Sequence, residues 1–121
     1  MHEASLAGGI LKLVENSARR ENFRRVSLLR LEVGQLANVE LRALQFALDA
    51  IAPGTLLENA RLEFEEPPGQ AWCLGCSQTV PLPERGTPCP HCGSYHLQPT
   101  GGTELRVIDM LVADEIGRAH V

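Results

Sequence analysis

Apolar residues recur at helical spacing between residues 4 and 21. Leu6, Ile10, Leu13 and Val14 fall on one face, Ala7, Leu11 and Ala18 widen it, and Lys12, Glu15, Arg19 and Arg20 lie elsewhere. This predicts an amphipathic helix. Gly8 and Gly9 weaken its early turns by about 1 kcal/mol each relative to alanine, and their small size would admit a close neighbour. The period then shortens. In "RVSLLRLEV", residues 25–33, Leu29, Leu31 and Val33 alternate with Arg30 and Glu32, as in a strand that Gly34 ends. Helical spacing returns over 39–52 with Leu41, Leu44, Leu48 and Ile51. Asn38 is the expected N-cap, Glu40 falls in the first turn where the helix dipole favours a carboxylate, and Pro53-Gly54 stops the helix. Two further strands follow. "ARLEFE" at 60–65 alternates strictly, and "ELRVIDMLVA" at 104–113 places Ile108, Met110 and Val112 on one face.

Between those two strands, residues 67–102 carry Pro, Gly, Ser, Thr and Cys, with few charges and few long apolar side chains. Such a segment cannot fold by burial alone. It reads as a small module inserted between two strands of one sheet. It holds Cys73-Leu-Gly-Cys76 and Cys89-Pro-His-Cys92-Gly93, a C-x2-C-x12-C-x2-C spacing. Each C-x2-C lets a tight turn aim two thiolates at one ion, and two such knuckles complete a tetrahedron. Gly75 and Gly93 stand where knuckle turns need a positive φ or an unhindered amide near sulfur. A closed four-sulfur set leaves no open coordination position, so the metal should be structural. Zinc would add about 10–16 kcal/mol of apparent folding free energy. Iron in a rubredoxin-like site would use similar knuckles, so the spacing admits either metal. Two disulfides suit the cytoplasm less well, and a thioredoxin-type pair belongs near a βαβ pattern that the insert lacks. His91, inside the second knuckle, and His96, just beyond it, are candidates for an accessory metal, against the plainer reading of exposed loop histidines.

The predicted fold is therefore α+β: a small three-stranded sheet with two helices, plus an inserted zinc-ribbon-like module. Residues 1–66 and 103–114 would form the α/β domain and 67–102 the inserted one. Residues 115–121 continue no pattern and are expected to be a foreign or disordered tail, so His120 is left out of the site. The formal net charge of −4, and a module whose only charges are Glu84 and Arg85, argue against nucleic acid as a partner. No apolar run reaches bilayer length, and no basic region and apolar stretch open the chain, so no membrane partner is expected and the default compartment is the cytoplasm.

One residue remains, His2. The α-amine of Met1, the amide nitrogen of His2 and its imidazole can chelate one ion together, and nickel(II) and copper(II) accept such nitrogen-rich, square-planar sets. The amine titrates near about 7.7–8.0 and imidazole near about 6.5, so the chelate would respond to pH around neutrality. By position alone, a histidine at a chain end is usually incidental.

Three features together change that weighting. "MHEASLAGGILKLVE", "LRLEVGQLANVELRALQFALDAIAPGTLLENARLEFEE" and the paired C-x2-C insert resemble the HypA/HybF family, the nickel-incorporation proteins of nickel–iron hydrogenase maturation. The resemblance spans residues 1–113. It implies a metallochaperone rather than an enzyme, with transported Ni(II) and structural Zn(II). Nickel would be held by the Met1 α-amine, the backbone nitrogen and imidazole of His2, and a backbone nitrogen or carboxylate of Glu3. Glu40 falls where some relatives place an aspartate near nickel, keeping the charge on a longer arm. Cys73, Cys76, Cys89 and Cys92 match the zinc ligands. Relatives often carry a histidine directly after a knuckle cysteine. Here Gly93 follows Cys92, leaving His91 and His96 as the nearby histidines. The implied partners are the hydrogenase large-subunit precursor and a maturation GTPase, with the chain a monomer or weak homodimer. The rival reading is a zinc-ribbon module contacting protein or RNA, with no nickel function.

Overall fold

The computed structural model describes residues 2–113 and the backbone of 119 and 120. The chain divides into two compact units. One comprises Met1–Leu31, Glu40–Glu63 and Val107–Val121, the other Glu32–Val39 and Phe64–Arg106.

In the first unit, α1 (His2–Glu21) packs against α2 (Leu41–Ile51). Helix α1 buries Ala7, Ile10, Val14 and Ala18, a stripe advancing by three or four residues. Leu13, expected on that stripe, is 51% exposed because it lies about 90° from the stripe's centre. Gly8 and Gly9 face open space: a Cβ at either would meet nothing within 4 Å, so no close neighbour explains them. Asn22, at φ 59, ends α1, and the Phe23 N–H reaches back to the Ala18 carbonyl at 3.3 Å. This is a Schellman closure, with Phe23 and Ala18 both buried beneath it. Helix α2 buries Leu44 and Leu48. Its N-cap is Glu40, not Asn38. Asn38 instead adopts φ 63, the left-handed turn conformation asparagine tolerates, two residues before the cap.

The larger sheet has the order β2–β1–β6–β7, from β1 (Arg25–Val33), β2 (Arg61–Glu65), β6 (Leu105–Ala113) and β7 (Ala119–His120). Along β1 the partners on β6 run backwards. Arg24 N–H meets the Ala113 carbonyl at 3.1 Å, Ser27 Oγ the Leu111 carbonyl at 3.3 Å, and Arg30 the Asp109 carboxylate at 2.7 Å, so the pair is antiparallel. Leu29, Leu31 and Val33 are buried, as their alternation predicts. The three expected strands are present, and Ala119 and His120 add a short fourth by pairing with Ala113 and Val112. The rest of the expected tail lies outside the described residues.

The second unit contains a three-stranded antiparallel sheet of order β4–β3–β5, from β3 (Gln70–Cys73), β4 (Gln78–Pro81) and β5 (Leu97–Gly101). One small core joins Leu36, Ala71 and Leu82, with Leu97 packed on it. Another joins Cys73, Val80 and Cys89, with Cys76 and Leu97. Leu36 belongs to the Glu32–Val39 segment, which is stitched in by its backbone. Leu36 N–H donates to the Gly102 carbonyl at 2.7 Å, Gln35 N–H to the Pro67 carbonyl at 3.0 Å, and Gln35 Oε1 accepts the Gly69 N–H at 2.7 Å. Gly34 allows this approach, since a Cβ there would stand 2.2 Å from the Gly102 oxygen.

Candidate metal centres

The four cysteines meet in the second unit. Strand β3 delivers Cys73, the turn after it delivers Cys76, and the 89–92 turn delivers Cys89 and Cys92. Their sulfurs all lie within 4.8 Å of one another. Cys73 Sγ stands 3.6 Å from Cys92 Sγ, and Cys76 Sγ 3.8 Å from Cys89 Sγ. Four sulfurs bound at about 2.3 Å to one ion would sit about 3.8 Å apart, so the set fits a tetrahedral ion and is too open for disulfides.

The two knuckles are built alike. Ser77 N–H donates to the Cys73 carbonyl at 2.8 Å, and Gly93 N–H to the Cys89 carbonyl at 2.9 Å. The donor in each case is the residue after the second cysteine, and each is left-handed, Ser77 at φ 55 and Gly93 at φ 77. Gly75 serves the other purpose glycine can have. A Cβ there would stand 2.9 Å from Ser94 Cβ and 3.2 Å from Cys92 Sγ.

The electrostatics call for a cation. The Cys92 backbone N–H, helped by that of His91 at 3.4 Å, holds the Cys89 thiol down at about 6. Burial, then the neighbouring Cys73, pushes Cys76 up to about 12. Four thiolates this close would repel one another, and a divalent ion removes that repulsion. Zinc, when bound, supplies the cross-link that two small apolar clusters cannot. The rings of His91 and His96 are not among the converging donors. Both histidines are exposed and act through their backbones, His91 toward Cys89 Sγ and His96 toward Ser94 Oγ at 3.0 Å. Ser94 was not singled out by the sequence, yet its carbonyl accepts the Cys89 N–H at 2.8 Å.

In the first unit, His2 and Glu3 occupy the first turn of α1. Met1 lies outside the described residues. His2 Nδ1 is 3.7 Å from Glu3 Oε2, with the His2 side chain 56% exposed and that of Glu3 only 11%. Glu3 Oε2 also accepts the Glu40 backbone N–H at 3.0 Å, while Glu40 Oε1 accepts the Ala43 N–H at 2.9 Å. The structure thus brings His2, Glu3 and Glu40 together, with both carboxylates engaged at the start of α2. The Glu40 N–H above all, with the residue's own N–H among the smaller causes, holds the Glu3 carboxyl down at about 2, so it is ionised at any working pH. Among the described residues, the four cysteines are the group whose side-chain donors converge as metal ligands would; His2, Glu3 and Glu40 are not part of such a group. No helix among the described residues is long and apolar enough to cross a membrane.

Known proteins place this combination. The hydrogenase maturation factor HypA of Polaromonas naphthalenivorans is 80% identical over 115 residues, covering 95% of this chain and 100% of the relative. That of Cupriavidus necator is 68% identical over 114 residues, covering 94% of this chain and 96% of the relative. The solution structure of the Ni metallochaperone HypA from Helicobacter pylori shares the fold, with a TM-score of 0.68 at 20% identity over 95% of this chain and all of that one. Residues 1–112 match the family described as "Hydrogenase/urease nickel incorporation, metallochaperone, hypA", and the chain, with its four-cysteine knuckles and its His2-Glu3 helix start, belongs to that family.

Proposed function

We propose that this protein carries one Ni(II) at its N-terminal end and delivers it, in the cytoplasm, to the hydrogenase large-subunit precursor, exchanging nickel with a maturation GTPase. The ligands are the Met1 α-amine, the backbone nitrogen and imidazole of His2, and the backbone nitrogen of Glu3. The four-cysteine centre holds a structural zinc and takes no part in the transfer chemistry.

The observation that carries this reading is the place of His2 and Glu3 in the first turn of α1. The first four amides of a helix have no intrahelical acceptor. A metal that takes amide nitrogens there breaks no helical hydrogen bond, whereas the same ligation one turn later would unwind the helix. The exposed imidazole can close the chelate without disturbing the core. The carboxylates of Glu3 and Glu40 are already committed to α2, so they position this end and shape its charge more than they ligate. A chelate at the solvent-exposed start of a helix, whose donors must shed protons to bind, can also release its ion, as delivery requires.

Equilibrium nickel titration tests the reading. Adding one residue before Met1, or replacing His2→Ala, should weaken Ni(II) binding at least about tenfold, with zinc content and helical signal unchanged. Unaltered nickel affinity in both variants would overturn the assignment.

A further inference from the structure

Helix α2 points a large apolar side chain at solvent. Phe46 is 77% exposed, the most of any large apolar residue among those described. It adds nothing to the core, because Leu44 and Leu48, the buried residues of α2, both lie about 160° round the helix from it.

The neighbours of Phe46 are of two kinds. At about 100° per residue, Arg42 and Asp49 lie about 40° and about 60° to one side of it, and Ala50 and Ala43 about 40° and about 60° to the other. Arg42 and Asp49 are exposed, and neither makes an ion pair among the described residues. On the alanine side, a groove of about 390 Å³ runs between α2 and the start of α1, lined by Ala4, Ala43, Ala47, Ala50, Ile51 and Phe46 itself. Its one charged lining residue is Glu3, whose carboxylate already accepts the Glu40 N–H at 3.0 Å. One helix face thus holds a protruding ring, an apolar groove beside it, and one free charge of each sign.

We propose that this face binds a second copy of the chain, with the two α2 helices antiparallel about a two-fold axis at Phe46. The surface is complementary to itself. At about 1.5 Å per residue, Arg42 stands about 6 Å before Phe46 along the helix and Asp49 about 4.5 Å after it. Turning one helix end for end brings Arg42 of one copy to within about 1.5 Å of the level of the partner's Asp49. Both lie on the same side of Phe46, so the two-fold axis forms this ion pair twice. Parallel helices would instead set Arg42 against Arg42 and Asp49 against Asp49. On the other side, each ring meets the groove of the second copy, where alanines leave room for it. A different protein would need only a pocket for Phe46. The placing of Arg42 and Asp49 either side of the ring suits a copy of the same helix.

Helix α2 is 11 residues long, so the interface is small and the dimer should form and part readily. Sedimentation equilibrium of the intact zinc-loaded protein between about 10 µM and about 1 mM should show a monomer–dimer equilibrium. It is measured without nickel, so it stands apart from the nickel assignment. Over the same range, amide shifts that change with concentration should centre on residues 42–50. Arg42→Asp or Asp49→Arg alone should weaken association at least about tenfold, and the two together should restore it to within about threefold. Phe46→Ser should also weaken it at least about tenfold. All three residues are exposed, so helical circular dichroism should be unchanged in every variant. A protein monomeric throughout, a dimer indifferent to Phe46→Ser, or a double exchange as weak as either single change would each overturn the proposal.

Discussion

The Glu3 carboxylate holds the backbone N–H of Glu40 at 3.0 Å, across thirty-seven residues of sequence. In a capping box, the N-cap side chain binds the N3 amide and the N3 side chain returns to the N-cap amide. Here Glu40 performs the first half by accepting the Ala43 N–H, but Ala43 has no side chain to perform the second. Glu3 supplies it from another helix. The start of α1 and the start of α2 are thereby one hydrogen-bonded unit, and Glu3, whose backbone nitrogen is a ligand in the proposed nickel chelate, also caps a helix with its side chain.

This arrangement fixes an acid-range behaviour. The Glu3 carboxyl is held down from 4.5 to about 2, chiefly by the Glu40 N–H. A carboxyl lowered in the folded state contributes stability that is present above its usual value and lost as pH falls from about 4.5 toward about 2. At pH about 4 the Glu3 side-chain carbon should still show the NMR shift of a carboxylate, where an ordinary glutamate is mostly protonated. Glu3→Gln should lower the melting temperature at neutral pH, and the gap from wild type should narrow on acidification. Titration of Glu3 at its usual value would refute the cap.

The paired glycines of α1 give a second expectation. Gly8 and Gly9 are exposed, and a Cβ on either meets open space. Gly8→Ala and Gly9→Ala should each stabilise the protein by about 0.5–1 kcal/mol in chemical denaturation, because alanine restricts the unfolded chain and favours the helix. A loss of stability would mean that the glycines are needed for a contact the fold does not contain.

The sequence made some of this plain and hid the rest, for definable reasons. Strict alternation at Arg30, Leu31, Glu32 and Val33, and helical spacing through Ile10, Val14 and Leu44, Leu48, are local signals, and the elements follow them. The cysteine spacing is local too. Glu40 as N-cap was hidden because Asn, Asp, Ser and Thr cap helices better than Glu, so Asn38 looked the stronger candidate. Its partner Glu3 could not be read from any local pattern. Leu36 was hidden likewise: "GQLA" has no period, and only the contacts with Ala71 and Leu82 make that leucine a core residue of the other unit. The strands β3, β4 and β5 are four or five residues long and poor in β-branched side chains, so the insert read as a module without visible strands.

The likeness of the two knuckles predicts opposite effects at equivalent positions. Ser77 and Gly93 both take positive φ and both donate to the carbonyl four residues back. Only glycine does so without strain. Ser77→Gly should raise the melting temperature, by about 1 kcal/mol of stability at most. Gly93→Ala should lower it by a similar amount or more and weaken zinc retention against a competing chelator. If both substitutions move stability the same way, the two turns are not equivalent.

Metal removal should separate the two units. The second unit rests on the Leu36–Ala71–Leu82 and Cys73–Val80–Cys89 clusters, each only three buried residues. Burial on that scale does not offset the ordering of some fifty residues, at about 1–2 kcal/mol each for the backbone, so the cross-link at the cysteines must supply the difference. Chelation, or Cys89→Ser, should therefore collapse the amide dispersion of 70–101 and change the emission of Trp72, which the fold holds at 38% exposure between Thr79 and Gln98. The helical circular dichroism should persist, since α1 and α2 bury Ile10, Val14, Leu44 and Leu48 without any metal. Metal analysis of the starting protein should find one zinc per chain, and a red, iron-containing protein would reassign the centre. Loss of the helical signal together with the metal would mean that the first unit cannot stand alone, and Leu36 would be the first residue to test.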